Sequence, residues 1–361
     1  MASVEPNDSC HINDTWLVRI DHASARKRYV LQRLNTHVFP QPEAVMQNVD
    51  RVTSHINGQA DHRDADRLPS QSQLGLVRTR EDESFLCDAE SNYWRLWPFI
   101  SGATSFDTVL TVQQARGAAA AFGDFQYLVH DLPGPRLNDT IVDFHNTPAR
   151  FEQFHAALSS DTCGRARDCE RETDVALRHE ESAGLLCRLH ESGELPERIV
   201  HNDAKLNNVL FDDASGLPAC VIDLDTVMPG LALYDFGDLV RTAAMPVPED
   251  TLDLDSVVIQ LDLYEQLVEG YIGSTIDFLV EAELENLAVA GKIITVETGL
   301  RFLTDYLSGD AYFKTHRPGQ NLDRARTQFA LANSIDEHFS TMQAMTSSAS
   351  SRHASQRKSV R

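Results

Sequence analysis

The sequence predicts an α+β fold of two lobes, in which a small strand-rich lobe precedes a larger helical lobe. Short runs of β-branched and aromatic residues fill the first hundred positions, and longer segments with apolar residues at helical spacing follow them. The pattern changes from about residue 107 onward, and the boundary between the lobes is placed near residues 98–102. We therefore assign residues 1–98 to an N-lobe, 99–345 to a C-lobe and 346–361 to a Ser/Arg-rich tail that should be disordered.

The N-lobe is predicted to combine several strands with one helix. Residues 15–20 (TWLVRI) and 28–35 (RYVLQRLN) predict strands, and the runs at 74–80 and 93–100 have a similar extended pattern. A helix is predicted from Pro42, because apolar residues then recur at approximately helical spacing and proline suits a first helical turn.

The C-lobe is predicted to be mostly helical, with one compact β-rich insert at 199–226. Its helical segments carry apolar stripes and few helix-breaking residues. The predicted helices cover 108–128, 148–158, 170–190, 251–273, 276–308 and 320–342.

Composition argues against several classes of function. The chain has 54 acidic and 32 basic side chains, and a net charge of −22 repels a nucleic-acid backbone. No apolar run approaches the roughly 18 residues that span a bilayer, and the first residues lack the pattern of a secretory signal. The six cysteines are scattered without a C-x-x-C pair, so neither zinc nor a disulfide framework is expected, and a reducing cytoplasm is the expected compartment.

The segment 199–241 carries most of the functional information. Apolar runs at 209–211 and 219–222 flank turn-forming residues, and together they predict a β-hairpin. In such a hairpin Asn208, just before the first strand, lies beside Asp223, just after the second. Their amide and carboxylate oxygens form a suitable pair of ligands for Mg²⁺.

Asp203 stands five residues before Asn208. This Asp-x-x-x-x-Asn spacing matches the catalytic loop of kinases, in which the aspartate accepts the proton of the substrate hydroxyl and the asparagine binds metal. A single aspartate after a strand is more often a turn or capping residue, and His201 is better explained as a structural donor. It is the combination with Asp223 that predicts a phosphoryl-transfer site.

A D-F-G motif at 235–237 is interpreted as structural. It follows Pro-Gly and a short loop instead of an apolar strand, so Asp223 is the better metal ligand. Asp235 is expected to cap the next helix or to brace the catalytic loop. Asp225 lies two residues beyond Asp223 and should point to the same side. It is a candidate ligand of a second metal ion or a candidate substrate contact; the alternative is that it only accepts a backbone hydrogen bond.

These motifs resemble the aminoglycoside phosphotransferase and choline kinase-like superfamily, and more closely its bacterial N-acetylhexosamine 1-kinases. The resemblance covers about residues 10–340 and centres on HNDAKLNNVLFD and VIDLDTVMPGLALYDFGD at 201–212 and 221–238. The flanking segments favour the sugar-kinase branch. They include YVLQRLNTHVFPQPEAVMQNV (29–49), YWRLWPFI (93–100), DFHNTPARFEQF (143–154) and RFLTDYLSGDAYFK (301–314).

The resemblance implies a bilobal protein-kinase-like fold that binds ATP and Mg²⁺ in the cleft between its lobes. The implied reaction is phosphorylation of N-acetylglucosamine or N-acetylgalactosamine at the anomeric hydroxyl. Asp203 would be the base, and Asn208 and Asp223 would bind magnesium. Arg301 would contact the sugar hydroxyls, since a planar guanidinium suits vicinal oxygens, and Tyr306 is a weaker candidate beside it.

On the nucleotide side, the resemblance implies that residues 97–100, including Trp97 and Phe99, form the hinge along the adenine. The alternative is a simple buried strand. Two features depart from the family pattern. No lysine stands on the third strand, so Arg33 or Arg28, with Glu43 as partner, is expected to replace it. The first turn, residues 7–11, lacks the usual glycines, and His11 is expected to supply polar contacts instead.

Three functions remain open at this point. The first is a sugar 1-kinase, whose partner is a small-molecule sugar, with no nucleic acid or membrane involved. The second is a kinase of the same fold for choline, an aminoglycoside or another small alcohol, which the acidic surface also suits. The third is a pseudokinase, suggested by Ser9 and Cys10 in the first turn and by the missing lysine. The sequence makes no prediction of oligomeric state.

Overall fold

The N-lobe is built on an antiparallel five-stranded sheet in the order β1-β2-β3-β5-β4. The computed structural model describes residues 2–6, 12–22, 25–59, 68 and 71–360. A first strand, which the sequence pattern did not predict, pairs with the second along its whole length. The strands are β1 (Ala2–Pro6), β2 (Asp14–His22), β3 (Ala25–Arg33), β4 (Leu86–Cys87) and β5 (Tyr93–Pro98).

Strand alternation gives this sheet two different faces. Gln32 on β3 lies opposite Thr15 on β2 and Arg95 on β5, and all three residues are buried on what we call the inner face. Arg33 and Trp94 form the neighbouring cross-strand pair, so they project from the more exposed outer face. This alternation decides which N-lobe side chains can reach the rest of the protein.

Helix α1 (Pro42–Gln59) packs beneath the sheet and begins at the predicted proline. Its apolar stripe is fully buried, and the thioether of Met46 lies 4.0 Å from a guanidinium nitrogen of Arg95. The predicted helix is therefore confirmed, and it lies against the inner face of the sheet.

Two small sheets carry the segment with the predicted hairpin. Strands β8 and β9 form this hairpin, with Val209 opposite Val221, and β6 extends it on one side. Strands β7 and β10 form a separate antiparallel pair. The strands are β6 (Ala103–Thr104), β7 (Arg198–Val200), β8 (Val209–Asp212), β9 (Pro218–Val221) and β10 (Met228–Gly230).

The C-lobe is helical, as predicted, and its core lies where α2, α6, α7, α9 and α10 pack together. The predicted helix at 276–308 is divided at Asn286 into a short and a long helix. The helices are α2 (Val112–Val129), α3 (Thr147–Ser160), α4 (Glu170–Ala183), α5 (Leu185–Glu191), α6 (Ala232–Ala243), α7 (Leu261–Thr275), α8 (Glu281–Glu285), α9 (Leu287–Leu307) and α10 (Gln320–Val360).

Helices α2 and α7 approach each other unusually closely, and a glycine permits this. A Cβ atom added at Gly270 would lie 2.2 Å from the backbone oxygen of Arg116. Any side chain at this position would therefore force the two helices apart. Because α2 also contributes Gln126 to the candidate active site described below, this contact helps to position that residue.

The prediction of a disordered tail is wrong, because α10 continues to Val360. Met342, Thr346 and Ala349 are buried at helical spacing, and the Tyr264 hydroxyl lies 2.8 Å from Thr346 Oγ1. Beyond them, Arg352 and His353 both bond to Glu269 on α7. Small side chains on one face let this Ser-rich segment pack closely against α7. This packing and the bonds to α7 compensate for the low hydrophobicity of the segment.

The run at 74–80 does not form a strand, although Leu74 and Leu76 are buried and Val77 donates one hydrogen bond to Leu96. Its apolar residues face the core from an irregular segment. Within the described ranges, no helix is both long and apolar enough to span a lipid bilayer.

Candidate active site

The loop between β7 and β8 is anchored to helix α6 by Asp235, which lies in the first turn of that helix. Its carboxylate, fully buried, accepts hydrogen bonds from the backbone N–H groups of His201 (2.9 Å) and Asn202 (2.7 Å) and from Gln126 Nε2 (2.7 Å). Burial nevertheless raises the pKa of Asp235. The expectation that Asp235 braces the catalytic loop agrees with this geometry.

His201 supports the same loop from a second direction. Its ring lies edge-on to Phe122 and Phe125, with centroid distances of 5.2 and 5.9 Å. Nε2 faces the carbonyl oxygen of Ile222 at 2.9 Å, and Nδ1 accepts the backbone N–H of Asp203 at 3.3 Å. One neutral tautomer, protonated at Nε2, satisfies both contacts, so His201 connects the catalytic loop to the end of β9.

Asp203 projects from this loop beside a cation and an amide. Lys205 Nζ lies 2.5 Å from Asp203 Oδ1, and Asn208 Nδ2 donates to Oδ2 at 3.2 Å. About a quarter of the Asp203 side chain (26 %) is exposed. Burial opposes ionisation, but the charge and hydrogen bond of Lys205, together with smaller contributions from other nearby groups, outweigh it and lower the pKa of Asp203. The carboxylate is therefore ionised at neutral pH and accessible to a ligand.

Asp223 follows β9 and lies beside Asn208, as the hairpin prediction required. The backbone N–H of Ile222 donates to the carbonyl oxygen of Asn208 at 2.9 Å, and Asp223 adopts a left-handed conformation with φ of 62°. Asp223 is exposed to solvent, but the protein atoms packed around its carboxylate partly desolvate it, and this desolvation, with the negative charges of Asp225 and Asp203, raises its pKa to about 6.

The side-chain oxygen atoms of Asp223 and its neighbour Asn208 are suitable ligands for a hard divalent cation. An amide side chain and a carboxylate are oxygen ligands of the kind that Mg²⁺ binds, with phosphate oxygens completing its shell. Desolvation raises the pKa of Asp223, and the negative charges of Asp225 and Asp203 add to this effect; a bound cation would offset that repulsion. Among the described residues, no cluster of three or more His, Cys, Asp or Glu side chains forms a closed metal site.

Asp225 is not placed to contact substrate, which corrects that expectation. It is 3 % exposed, and its two oxygens are taken by N-lobe donors. Arg95 Nη1 bonds to Oδ1, and Asn13 Nδ2 donates to Oδ2 at 2.6 Å. Asp225 is thus a C-lobe carboxylate inserted into a polar network of the N-lobe.

The basic residues expected to replace the strand lysine lie elsewhere. Arg33 projects from the outer face of the sheet and bonds to Asp14 at 2.5 Å. Arg28 donates to Ser101 Oγ at 2.9 Å and stacks on Phe99. The expected partner, Glu43, instead accepts from the Tyr93 hydroxyl. The structure therefore brings neither arginine to Asp203 or Asp223.

The predicted hinge is the end of β5 and the residues that follow. Trp97 is buried, and its indole N–H donates to Gln32 Oε1 at 2.9 Å, so its ring serves the core. Phe99 is partly exposed under the guanidinium of Arg28, at 4.0 Å from ring centroid to Cζ. His11, predicted to contact the nucleotide, lies outside the described residues.

Arg301 lies one helical turn beyond Glu297 on α9, on the side that faces the catalytic loop. Glu297 bonds to His145 Nδ1 at 2.7 Å, and His145 Nε2 lies 3.2 Å from the carbonyl oxygen of Asn202. The Arg301 guanidinium stacks near three aromatic rings, with centroid distances of 4.9 to 6.0 Å. These rings belong to Phe144, Phe313 and Tyr312.

Two of the aromatic residues beside Arg301, Tyr312 and Phe313, are held in place by Asp305. Its carboxylate accepts the backbone N–H groups of residues 311–313 at 2.8 to 3.0 Å. Tyr306, by contrast, is almost buried in a separate core cluster and faces Arg165, 4.7 Å from its ring. The expectation that Tyr306 contacts substrate is corrected accordingly, whereas Tyr312, which is 44 % exposed, stands beside Arg301.

Sequence reasoning missed Lys205, Arg95 and Tyr312. A signal for Lys205 was present, since it stands two residues after Asp203 and is the only lysine between Lys27 and Lys292. Nothing local distinguishes Arg95, because its partner Asp225 is 130 residues away.

The chain belongs to the APH phosphotransferase enzyme family, whose model matches residues 3–267. The structure accordingly has the kinase-like fold of this family, with an antiparallel-sheet N-terminal region and a helical C-terminal region.

Solved structures of similar fold include several kinases. An aminoglycoside phosphotransferase from Alicyclobacillus acidocaldarius is 13 % identical, with a TM-score of 0.59 over 97 % of this chain and 92 % of that one. A choline kinase from Cryptosporidium parvum is 14 % identical, with a TM-score of 0.55 over 95 % and 91 %. An amicoumacin kinase in complex with AMP-PNP and Ca²⁺ is 12 % identical, with a TM-score of 0.55 over 91 % and 88 %.

Proposed function

We propose that the protein transfers the γ-phosphoryl group of ATP, with Mg²⁺, to a hydroxyl group of a small molecule. The observation that carries this proposal is the meeting of Asp203, Asn208 and Asp223 at one end of the hairpin, beside the cation of Lys205. These are the parts that phosphoryl transfer requires, namely a positioned base, hard oxygen ligands and positive charge near the phosphates.

Asp203 is the residue that holds the acceptor. Its carboxylate accepts the proton as the hydroxyl oxygen bonds to the γ-phosphorus, while the bond to the bridging oxygen breaks and ADP leaves. The lowered pKa of Asp203 makes it a weak base, which suits a reaction that depends more on positioning than on early proton removal. Lys205 adds positive charge where negative charge gathers on the transferred group.

Asn208 and Asp223 are the proposed ligands of magnesium. When bound, this ion neutralises phosphate charge and orients the nucleotide. Asp223 is rigidly presented by its left-handed backbone conformation and by the hydrogen bond between Ile222 and Asn208. On the nucleotide side, the backbone of residues 98–100 is the proposed edge for adenine, and Phe99 with Arg28 lies next to it.

The specific acceptor we propose is an N-acetylhexosamine, phosphorylated at its anomeric hydroxyl to give the sugar 1-phosphate. The support is the arrangement around Arg301, a guanidinium flanked by aromatic rings on the side of α9 that faces the catalytic loop. Planar donors match vicinal hydroxyls, and aromatic rings match the apolar face of a pyranose. The flanking sequence segments that resemble N-acetylhexosamine 1-kinases point to the same acceptor.

A panel of acceptors tests this function. The purified protein is incubated with ATP and Mg²⁺ and with N-acetylglucosamine, N-acetylgalactosamine, glucose, galactose, choline, ethanolamine or an aminoglycoside, and ADP is measured. We expect an N-acetylhexosamine to give the highest kcat/KM, and a ³¹P NMR signal split by one anomeric proton. Turnover of the amino alcohols with no turnover of any sugar would contradict the sugar assignment.

A second candidate is a kinase for a cationic alcohol. The observation that favours it is the net charge of −22, which attracts cationic acceptors. The same panel separates the two, because choline, ethanolamine and aminoglycosides carry positive charge and the N-acetylhexosamines are neutral.

A further inference from the structure

We propose that Arg95 is the N-lobe cation that positions the metal-binding loop, acting through Asp225 and not through direct contact with the nucleotide. Arg95 comes from β5, whereas the lysine of protein kinases comes from the third strand. The inference rests on the proposed function, since it concerns the loop that carries Asp223.

The ion pair between Arg95 and Asp225 joins the two regions of the fold. Arg95 is 2 % exposed, and both partners lie in a network that excludes water. Arg95 Nε donates to Gln32 Oε1 at 3.0 Å, and Gln32 Nε2 donates to Thr15 Oγ1 at 3.3 Å. Three adjacent strands therefore hold the guanidinium in one orientation.

Gln32 explains why the cation is supplied by another strand. It occupies the inner face of β3, and its cross-strand neighbour on the same face is Arg95. A neutral amide on β3 cannot form an ion pair with a carboxylate, but the oxygen of Gln32 orients the arginine that does. Gln32 also accepts from Trp97, so the same oxygen fixes two neighbouring side chains of β5.

The target of this cation is the loop that presents Asp223. Asp225 lies two residues beyond Asp223, and the short helical turn Leu224–Thr226 connects them. With Asn13 bonded to its other oxygen, Asp225 is clamped by two N-lobe donors. A buried carboxylate that lost Arg95 would be left without its cation and would have to move toward water, and Asp223 would move with it.

The test measures the binding of Mg²⁺ and nucleotide, so it does not depend on knowing the acceptor. Arg95→Met keeps an unbranched apolar stem and removes the charge and the hydrogen-bond donors of the guanidinium. The matched control is Arg33→Met, the same change on the outer face of the same sheet. For each variant, thermal shift gives the Mg²⁺ concentration that half-maximally stabilises the ATP complex, and ATP affinity is also measured in EDTA.

We expect Arg95→Met to raise this Mg²⁺ concentration about tenfold or more, the usual effect of losing a residue that orients a metal ligand. ATP affinity in EDTA should stay unchanged, and Arg33→Met should match the wild type. Asp225→Asn should show the same defect, and the double variant Arg95→Met/Asp225→Asn should be no worse than either single one, because both act through one contact.

Two results would overturn the inference. One is a Mg²⁺ requirement for Arg95→Met within about twofold of the wild type, and the other is a loss of ATP affinity in EDTA, which would mean direct contact with phosphate. If Arg95→Met does not fold, Asp225→Asn decides on the same criterion. Failure of the wild type to bind ATP with Mg²⁺ would instead refute the proposed function, and the inference with it.

Discussion

Lys205 and Asp203 form an ion pair in the loop that follows β7, with Nζ 2.5 Å from Oδ1. Asp203 also accepts from Asn208, so one carboxylate links a cation with a predicted metal ligand. Burial alone would lower the pKa of Lys205, but the charges of Asp203 and Asp238 raise it, so the ammonium group stays protonated. The loop therefore carries its own positive charge beside the proposed base.

The first prediction concerns this lysine. Lys205→Met should lower kcat about 10- to 100-fold, because positive charge near the transferred phosphoryl group is lost, with a smaller change in ATP affinity. Coupled ADP formation and isothermal titration check the two quantities separately. Lys292→Met is the control, since Lys292 makes a similar ion pair with Asp336 that does not involve the catalytic loop. Equal activity of the two variants would contradict the role of Lys205.

The second prediction concerns the buried support of the loop. Asp235→Asn should lower the free energy of unfolding by about 2–4 kcal/mol, because an amide NH₂ would face backbone donors that now reach a carboxylate. Urea unfolding measures the change. Asp213→Asn, on the exposed turn of the hairpin, should stay within about 0.5 kcal/mol of the wild type. Equal stability of the two variants would show that Asp235 does not hold the loop.

The third prediction separates Arg301 from Tyr306. Arg301→Lys should raise the KM for the acceptor about tenfold or more, since a bidentate donor is replaced by a point charge, and leave the KM for ATP unchanged. Tyr306→Phe should leave both values unchanged, because Tyr306 packs against Arg165 in a separate core cluster. Steady-state kinetics with each substrate varied in turn measures these values. A larger defect in Tyr306→Phe would restore Tyr306 as a substrate contact.

The geometry of the candidate catalytic segment could be predicted from the sequence because its partners are close along the chain. Asn208 and Asp223 flank a short hairpin, so local turn chemistry places them together. The pairing of Arg95 with Asp225 could not be predicted in this way, since it depends on how the sheet docks on the C-lobe. The roles expected for Arg33 and Arg28 followed from the family resemblance and from their position on the third strand, and the alternation of faces turned Arg33 outward.

The end of α10 shows a second limit of sequence reasoning. A run rich in serine and arginine has the composition of a disordered segment, yet here its small residues fall on one helical face. Whether such a face is used depends on a partner elsewhere in the chain, in this case Glu269 and Tyr264 on α7. Composition reports hydrophobicity and charge, but it does not report that partner.

The fourth prediction uses pH to test this docked helix. Burial favours the neutral form of Glu269, but hydrogen bonds from Arg352 and His353 outweigh it and lower its pKa below the ordinary value of 4.5. The contact therefore stabilises the helix fully above pH 4.5 and is lost as the pH falls below that value. We therefore expect the amide groups of residues 346–360 to lose protection from hydrogen exchange on acidification. Protection compares the measured exchange rate with the intrinsic rate at the same pH.

Glu269→Gln should give the faster exchange already at pH 7, by a factor that corresponds to about 0.5–1 kcal/mol for a partly exposed pair. Glu265→Gln on the same helix is the control. Exchange that is fast at pH 7 in the wild type would contradict the docked helix.

The central claim is that Asp203 and Asp223 form one phosphoryl-transfer site, and Asp203→Asn tests it most directly. With a substrate from the acceptor panel, ADP formation is compared between this variant and the wild type, in Mg²⁺ and in EDTA. We predict that the variant binds ATP with Mg²⁺ normally but loses about 10²–10⁴-fold in kcat, and that EDTA abolishes turnover by the wild type. Turnover by Asp203→Asn at the wild-type rate, or wild-type turnover that persists in EDTA, would contradict the claim.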